Sequence, residues 1–217
     1  MWGSIGTFVT TLSALGFSSV QLVSVRILLT LVILFLYILF TDRKKFRIDP
    51  RDIWMFLGSG ILSFVCFNLC YFTSIKLTGL CTAAILLYTS PVFVAIMSRI
   101  FFHEKLSANK LAALPMALLG CALVSGITSG GSFNTIGVLC GLACGFGYAL
   151  YSIFGRVALK KYNSVTVTFY TFLCAMLGIL PFSHITEIPA LIKAPATALL
   201  LVGLAVVTNL LPYSLYT

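Results

Sequence analysis

Eight apolar stretches alternate with short polar breaks along the chain. They cover about residues 2–17, 22–40, 53–75, 81–102, 111–127, 136–157, 165–182 and 196–217. An α-helix rises about 1.5 Å per residue, so about 20 apolar residues cross a hydrocarbon core about 30 Å thick. Because lipid offers no hydrogen-bond partner to the backbone, helices are the expected spanning structure. The pattern predicts an all-α fold, a polytopic transmembrane helix bundle of about eight spans.

The fourth stretch, Cys81–Phe102, is unusual because polar residues lie near its middle. Tyr88, Thr89 and Ser90 precede Pro91, which has no backbone N–H and leaves a carbonyl free one turn earlier. Lipid would leave such groups unsatisfied. We therefore expect one helix that bends at Pro91 and borders a cavity inside the bundle.

The composition excludes a soluble domain. The chain is 60% hydrophobic and 9% charged, with a mean hydropathy of +1.09, and no soluble exterior accommodates that much apolar surface. The formal net charge of +9 would elsewhere suggest nucleic acid, but the cations lie in short loops between apolar stretches. We expect the lipid bilayer as a partner and no nucleic acid.

The distribution of cations predicts the orientation. Only Lys76 and Lys193 fall on one side of the predicted membrane. The ten on the other side are Arg43, Lys44, Lys45, Arg47, Arg51, Lys105, Lys110, Arg156, Lys160 and Lys161. Because cytoplasmic loops are enriched in Lys and Arg, we expect a multi-pass protein of the plasma membrane with a cytoplasmic N-terminus.

Catalytic and metal-binding groups are lacking at membrane depth. The five acidic residues lie in predicted loops or at helix ends, and a membrane enzyme needs an acid, base, nucleophile or metal inside a span. The pairs Cys66/Cys70 and Cys140/Cys144 would each offer half of a metal site, but no His or carboxylate is near in sequence. Packing as small apolar side chains is the preferred interpretation. We expect no enzyme activity, cofactor or metal, and facilitated diffusion or exchange rather than proton coupling.

Polar and aromatic side chains near mid-span are the best candidates for binding a solute. The set is Asn68, Tyr71, Tyr88, Thr89, Ser90, Tyr148, Tyr151 and Asn209. Aromatic rings offer stacking faces and hydroxyls at little cost in charge, so the set suits a neutral, zwitterionic or aromatic solute. The alternative for each Asn is a hydrogen bond between helices, and for each Tyr it is packing or an interfacial belt.

Other residues indicate how the helices approach and bend. Gly137, Gly141 and Gly145 recur at every fourth position, a spacing that lets two helices pack closely. Proline permits a bend, and a carboxylate after a span offers an ion pair to nearby Arg or Lys, with a favourable helix-start charge as the alternative. The candidate gating residues are Pro91, Pro212 and Glu104.

A weak internal repeat and several short motifs resemble a known transporter family. Gly60–Ile61–Leu62 parallels Gly203–Leu204–Ala205, and each lies two spans after a Gly-rich helix. The chain resembles the EamA-type members of the drug/metabolite transporter superfamily through Trp2-Gly3-Ser4, Val25-Arg26, Pro91 and Glu104-Lys105-Leu106 followed by Gly120. His103 stands where the family usually has Gly before the Glu.

The resemblance implies both an architecture and a function. It implies a five-helix unit over residues 1–127 and a second, inverted unit over 135–217 that breaks off after its third helix. Such proteins have ten helices and move small metabolites or drugs, mostly outward. By the same resemblance, a small organic solute would bind near the midplane between the units, with Trp2 on the cavity side, and cross by alternating access.

The last apolar stretch ends at Thr217 without a flanking charge, and two helices of the family's ten have no counterpart. We therefore expect that the chain is a fragment of a longer transporter. The rival hypothesis is a non-transporting truncated remnant or an assembly partner in the membrane. A homodimer, or a second chain, would then supply the missing helices.

Overall fold

The structure is a computed structural model that describes residues 11–103, 115–116, 119–120, 134–183 and 195–207. The longer α-helices are α1 Ser19–Thr41, α2 Ile53–Leu57, α3 Cys66–Thr78, α4 Leu80–Leu87, α5 Ser90–Phe102, α6 Thr135–Leu159, α7 Ser164–Ile179 and α8 Pro195–Ala205. A π-helical segment, Gly58–Val65, joins α2 to α3. Short 3-10 turns occur at Arg43–Phe46, Pro50–Asp52 and Leu180–Phe182. The described residues contain no strand.

Five helical segments in the described part of the chain are long and apolar enough to cross a membrane. They are Ser19–Thr41, Pro50–Thr78, Thr82–Phe102, Thr135–Leu159 and Ser164–Phe182. The predicted all-α, polytopic bundle is therefore confirmed. The count of eight spans stays a prediction, because most of the stretches 2–17 and 111–127 and the second part of 196–217 lie outside the described residues.

Polar side chains at the breaks fix where the helices begin. At the start of α1, Gln21 N donates to Ser18 Oγ at 3.2 Å and Ser18 N donates to Gln21 Oε1 at 2.9 Å. This reciprocal pair satisfies two amides that a helix start leaves without partners. Asn163 Oδ1 accepts from Val165 N at 3.2 Å and starts α7 in the same way.

The fourth apolar stretch is interrupted differently from the expectation. It forms two helices, α4 and α5, separated by a turn at Tyr88–Thr89, so the expected single helix with a bend at Pro91 is wrong in that detail. Pro91 occupies the first turn of α5, where a missing N–H costs no helical hydrogen bond. Thr89 Oγ1 donates to Leu86 O at 2.6 Å and closes the turn.

The described residues group into two compact units. The terminal unit combines Met1–Ile61 with Ala158–Thr217, and the central unit is Leu62–Val157. In the terminal unit, α1 packs against α7 and α8. One buried cluster of this unit consists of Leu12, Phe17, Leu22, Val25, Leu201 and Leu204. The division into five-helix units at 1–127 and 135–217 stays a prediction.

In the central unit, α6 packs against the other helices through small and apolar side chains. Its Ala149 and Ile153 form a buried cluster with Met97 of α5, and Phe93 and Phe102 pack on that cluster. These apolar side chains of α5 and α6 are buried against one another. The core of this unit therefore lies along α6.

Candidate functional site

Four aromatic side chains of the central unit form a chain of ring contacts. The Phe67 ring stacks on Tyr71, with centroids 6.1 Å apart and planes at 7°. Phe67 also contacts Tyr148 at 6.0 Å, and Tyr148 contacts Tyr151 at 6.5 Å. We call Phe67, Tyr71, Tyr148 and Tyr151 the tyrosine cluster. The cluster joins α3 to the middle of α6 and offers three phenol hydroxyls.

Close approach of α6 to α3 brings these rings together. A Cβ at Gly147 would lie 3.3 Å from Phe67 Cβ, and one at Gly137 would lie 2.7 Å from Leu77 Cβ. The two helices therefore run antiparallel with little room between their backbones. The Gly spacing predicts this kind of contact, and the same glycine face brings Gly145 within 3.2 Å, measured from its Cβ position, of Leu86 O.

Asn68 lies on α3 beside the cluster and is 3% exposed. Its Nδ2 donates to Phe64 O, one turn earlier in the same chain, at 2.8 Å. This hydrogen bond stays within one helical segment, and it satisfies the polar amide in apolar surroundings without a second helix. Burial places Asn68 inside the unit, as expected for a polar residue within a span.

The α4–α5 turn carries the remaining candidates that the structure describes. Ser90 is buried, and its backbone N lies 3.5 Å from the Cβ position of Gly145. Tyr88 is 55% exposed and is not part of the tyrosine cluster. Pro91 is also exposed. Four predicted residues lie outside the described residues: Trp2, Glu104, Asn209 and Pro212.

Sequence reasoning missed Phe67, which links the two halves of the cluster. Phe67 has no polar group and so was not a binding candidate. One signal in the sequence points to it, because it lies one helical turn before Tyr71 on the same face of α3. Its position opposite Gly147 on α6 is visible only in the structure.

The cysteine pair of α3 has the geometry that its spacing predicts. Cys66 Sγ and Cys70 Sγ lie 3.9 Å apart. Within the described ranges, no group of three His, Cys, Asp or Glu side chains is arranged to hold a metal ion. The interpretation of these cysteines as small packing residues stays a prediction.

A second polar constellation lies in the terminal unit, where two interhelical loops meet. Tyr162 Oη donates to Asp52 Oδ2, and Lys161 Nζ lies 2.5 Å from the same oxygen. Tyr162 Oη in turn accepts from Asp49 N at 3.0 Å. We call Asp52, Lys161 and Tyr162 the Asp52 junction. It ties the loop after α1 to the turn between α6 and α7.

The junction alters how its two titratable residues outside the spans ionise. The hydrogen-bonded ion pair with Asp52 raises the pKa of Lys161 above its ordinary 10.5. Burial, and then the hydrogen bond to Asp52, raise the pKa of the Tyr162 phenol above 10.0. Both groups therefore keep their protons at neutral pH.

Further contacts hold the same loop. Thr166 Oγ1 donates to Lys45 O at 3.0 Å, and Tyr170 Oη donates to Phe46 O at 2.8 Å. The Phe46 ring contacts Phe169 at 5.5 Å. The sequence analysis used the cations of this loop only as orientation signals. It did not predict that the backbone of the loop accepts hydrogen bonds from side chains of α7.

Comparisons with known proteins identify the family. A family model described as the EamA-like transporter family matches residues 1–126 and 135–217. An uncharacterized transporter of Archaeoglobus fulgidus is 28% identical over 161 residues, covering 74% of this chain and 56% of the relative. The uncharacterized transporter YxxF of Bacillus subtilis is 27% identical over 189 residues, covering 85% of this chain and 59% of the relative. The chain thus spans just over half the length of these relatives.

A solved crystal structure shares the fold, with a TM-score of 0.57, 19% identity, and coverage of 100% of this chain and 95% of the other. That likeness bears on the fold alone. Both relatives are named as uncharacterized transporters. With the family match over nearly all of its residues, this multi-pass membrane protein belongs to the EamA-like transporter family and is not an enzyme.

Proposed function

We propose that the chain takes part in moving a small organic metabolite or drug-like solute across the plasma membrane, outward, by alternating access. The tyrosine cluster is the observation that carries the proposal. It joins Phe67 and Tyr71 of α3 to Tyr148 and Tyr151 of α6, within two segments apolar enough to cross the bilayer. Their rings offer stacking faces and their phenol groups offer hydrogen-bonding atoms to a solute.

The chemistry of the cluster favours a solute with little net charge. Its members offer ring faces for stacking and hydroxyls for orientation, and neighbouring Asn68 adds an amide. Aromatic contacts contribute about 0.5–1.5 kcal/mol each without the desolvation cost of a buried ion. A neutral, zwitterionic or aromatic metabolite matches this set better than a polyanion.

The break between α4 and α5 supports alternating access. A turn at Tyr88–Thr89 interrupts the ladder of helical hydrogen bonds, and Pro91 keeps it from re-forming across the break. Hinges are short segments at helix ends that absorb changes in backbone angle. Pro91 is therefore a gating candidate, and Pro212 and Glu104 stay candidates from the sequence.

Orientation and assembly belong to the same proposal. The ratio of ten cations to two supports a cytoplasmic N-terminus. Because the chain spans 56% and 59% of its two relatives, the activity of the whole protein stays a proposal. Pairing with a second copy, or with a chain that supplies further helices, is part of it.

Thermal-shift screening of the purified full chain against amino acids, nucleosides and choline-like compounds would find a ligand, and flux would then be measured in reconstituted vesicles. Tyr148→Ala should raise the half-saturating ligand concentration about 2- to 10-fold, which corresponds to the loss of one aromatic contact. Tyr148→Phe, which keeps the ring, should lose less. The matched control is Tyr37→Ala, a half-exposed tyrosine of α1 outside the cluster.

Equal losses in Tyr148→Ala and Tyr37→Ala would remove the tyrosine cluster from the binding site. Ligand binding without flux of that ligand in any vesicle preparation would favour the rival, a non-transporting assembly partner. Both outcomes are read on protein whose unfolding temperature without ligand matches the wild type.

A further inference from the structure

The terminal unit contains an open groove where the loop after α1 faces the turn between α6 and α7. Its volume is about 280 Å³, and its lining includes Asp42, Lys45, Arg47, Lys161, Asn163 and Thr166. Tyr162 of the Asp52 junction completes the lining. We call this the basic groove. At about 30 Å³ per water molecule, it has room for a hydrated phosphate group.

Cations dominate the groove and its surroundings. Residues 42–52 and 159–163 together carry seven Lys or Arg side chains and three carboxylates. The Lys161 charge is matched by Asp52 in the junction. Lys45 Nζ lies 5.6 Å from the Tyr37 ring centroid, a contact that leaves its positive charge in place. Lys45 and Arg47 are therefore the cations that the lining offers to an anion.

The position of the groove favours a lipid over a soluble anion. The lining begins one residue after α1 ends at Thr41 and two residues after α6 ends at Leu159. Spans leave the hydrocarbon core at such points, at the level of the lipid headgroups. Exposed apolar side chains stand at the ends of the same two helices, with Phe40 84% and Leu159 50% exposed. A lipid would place its acyl chains along these side chains and its phosphate in the groove.

We propose that the basic groove binds the phosphate of an anionic membrane lipid, with Lys45 and Arg47 as its cationic contacts. A cytoplasmic leaflet rich in anionic lipid attracts Lys and Arg beside a span by about 1 kcal/mol each, which is about a five-fold change in affinity. The orientation of the protein in the membrane depends on the number of cations in a loop and not on their positions within the loop. Binding in the groove, by contrast, depends on the two that line it.

The test compares two variants that each remove two positive charges from the same loop. Lys45→Gln with Arg47→Gln empties the groove of its available cations, whereas Arg43→Gln with Arg51→Gln alters cations outside its lining. The full chain in neutral detergent is titrated with phosphatidylglycerol, with phosphatidylcholine, and with inorganic phosphate. The unfolding temperature and the number of lipids retained in native mass spectrometry are measured.

Phosphatidylglycerol should raise the unfolding temperature of the wild type and of the Arg43/Arg51 variant. The Lys45/Arg47 variant should need about 25-fold more of it, the product of two five-fold losses. Phosphatidylcholine and inorganic phosphate should have no such effect. If the Lys45/Arg47 variant folds poorly, Lys45→Arg with Arg47→Lys keeps both charges and should bind as the wild type does.

Equal losses in the two double variants would overturn the proposal, because loop charge alone would then attract the lipid. An equal shift from inorganic phosphate would also overturn it and indicate a site for a free anion. Failure of solute transport would leave these readouts unchanged, since none of them depends on the tyrosine cluster.

Discussion

The hydroxyl of Tyr162 donates a hydrogen bond to the carboxylate of Asp52, which lies 110 residues earlier in the chain. The same hydroxyl accepts from Asp49 N at 3.0 Å. One phenol therefore joins the start of one predicted span to the turn before another. Asp52 is 7% exposed, so its charge depends on this donor and on Lys161.

We predict that Tyr162→Phe lowers the unfolding temperature by about 2–4 °C, the change expected for one hydrogen bond in a chain of this size. Asp52→Asn should lower it further, because Lys161 then loses its anion. The matched control is Tyr37→Phe, which keeps the ring near Lys45. Unfolding in detergent measures all three, and equal values for Tyr162→Phe and Tyr37→Phe would contradict the role of the junction.

Stability should fall in alkaline solution. The pKa values of Lys161 and Tyr162 are raised in the folded chain above 10.5 and 10.0. Folding then holds protons that the unfolded chain releases, so the contribution is complete below these ordinary values and is lost as pH rises through the folded pKa values. As the pH rises above the ordinary values of 10.0 and 10.5, the unfolding temperature should drop more for the wild type than for Lys161→Gln with Tyr162→Phe. Parallel curves would show that other groups cause the loss.

Two buried serines should respond differently to removal of their hydroxyls. Ser59 Oγ lies 2.9 Å from Thr171 Oγ1, whereas Ser74 Oγ is buried without a hydrogen-bond partner in the described part of the chain. Ser59→Ala should cost about 0.6–1 kcal/mol of unfolding free energy. Ser74→Ala should be neutral or stabilising, because it removes an unsatisfied group. A larger loss for Ser74→Ala would indicate an unseen partner such as water.

Glycines of α6 provide a test of close helix packing. A Cβ at Gly141 would lie 2.7 Å from Leu86 Cβ, whereas one at Gly155 would meet no atom of the described residues within 4 Å. Gly141→Ala should displace α6 from its neighbours and cost about 1–3 kcal/mol. Gly155→Ala should gain up to about 1 kcal/mol from helix propensity. Measured unfolding free energies of the same sign would contradict the packing.

Pro91→Ala tests the hinge. Alanine restores an N–H at the start of α5, so α4 and α5 gain the option of joining as one helix. We expect the ligand concentration at the midpoint of the thermal shift to stay within about two-fold of the wild-type value. Solute flux should be about 10-fold lower, by analogy with lid and hinge variants that slow a conformational step. Unchanged flux would exclude Pro91 from gating.

The spans were largely predictable because their apolar pattern is continuous. The stretch predicted at 136–157 corresponds to the helix Thr135–Leu159, and the stretch predicted at 22–40 corresponds to the helix Ser19–Thr41. The spacing of Gly137 and Gly141 also predicted that a neighbouring helix approaches α6 closely, but it did not say which helix. A continuous apolar stretch is a property of neighbouring residues, so the sequence shows it directly.

The helix interruptions and the loop contacts were not predictable in this way. The break falls at Tyr88–Thr89 rather than at Pro91 because Pro is most easily accepted in a first helical turn. The π-helical segment Gly58–Val65 has no marker in the apolar pattern. The bond from Tyr162 to Asp52 depends on tertiary structure, which no window of neighbouring residues contains.

The long separation of Tyr162 from Asp52 has a consequence for biosynthesis. A ribosome adds about 5–20 residues per second, so the carboxylate emerges about 5–20 seconds before the phenol and ammonium groups that will receive it. During that interval the nascent loop must stay hydrated at the membrane surface. Insertion of the later spans therefore completes the docking of a segment that left the exit tunnel long before.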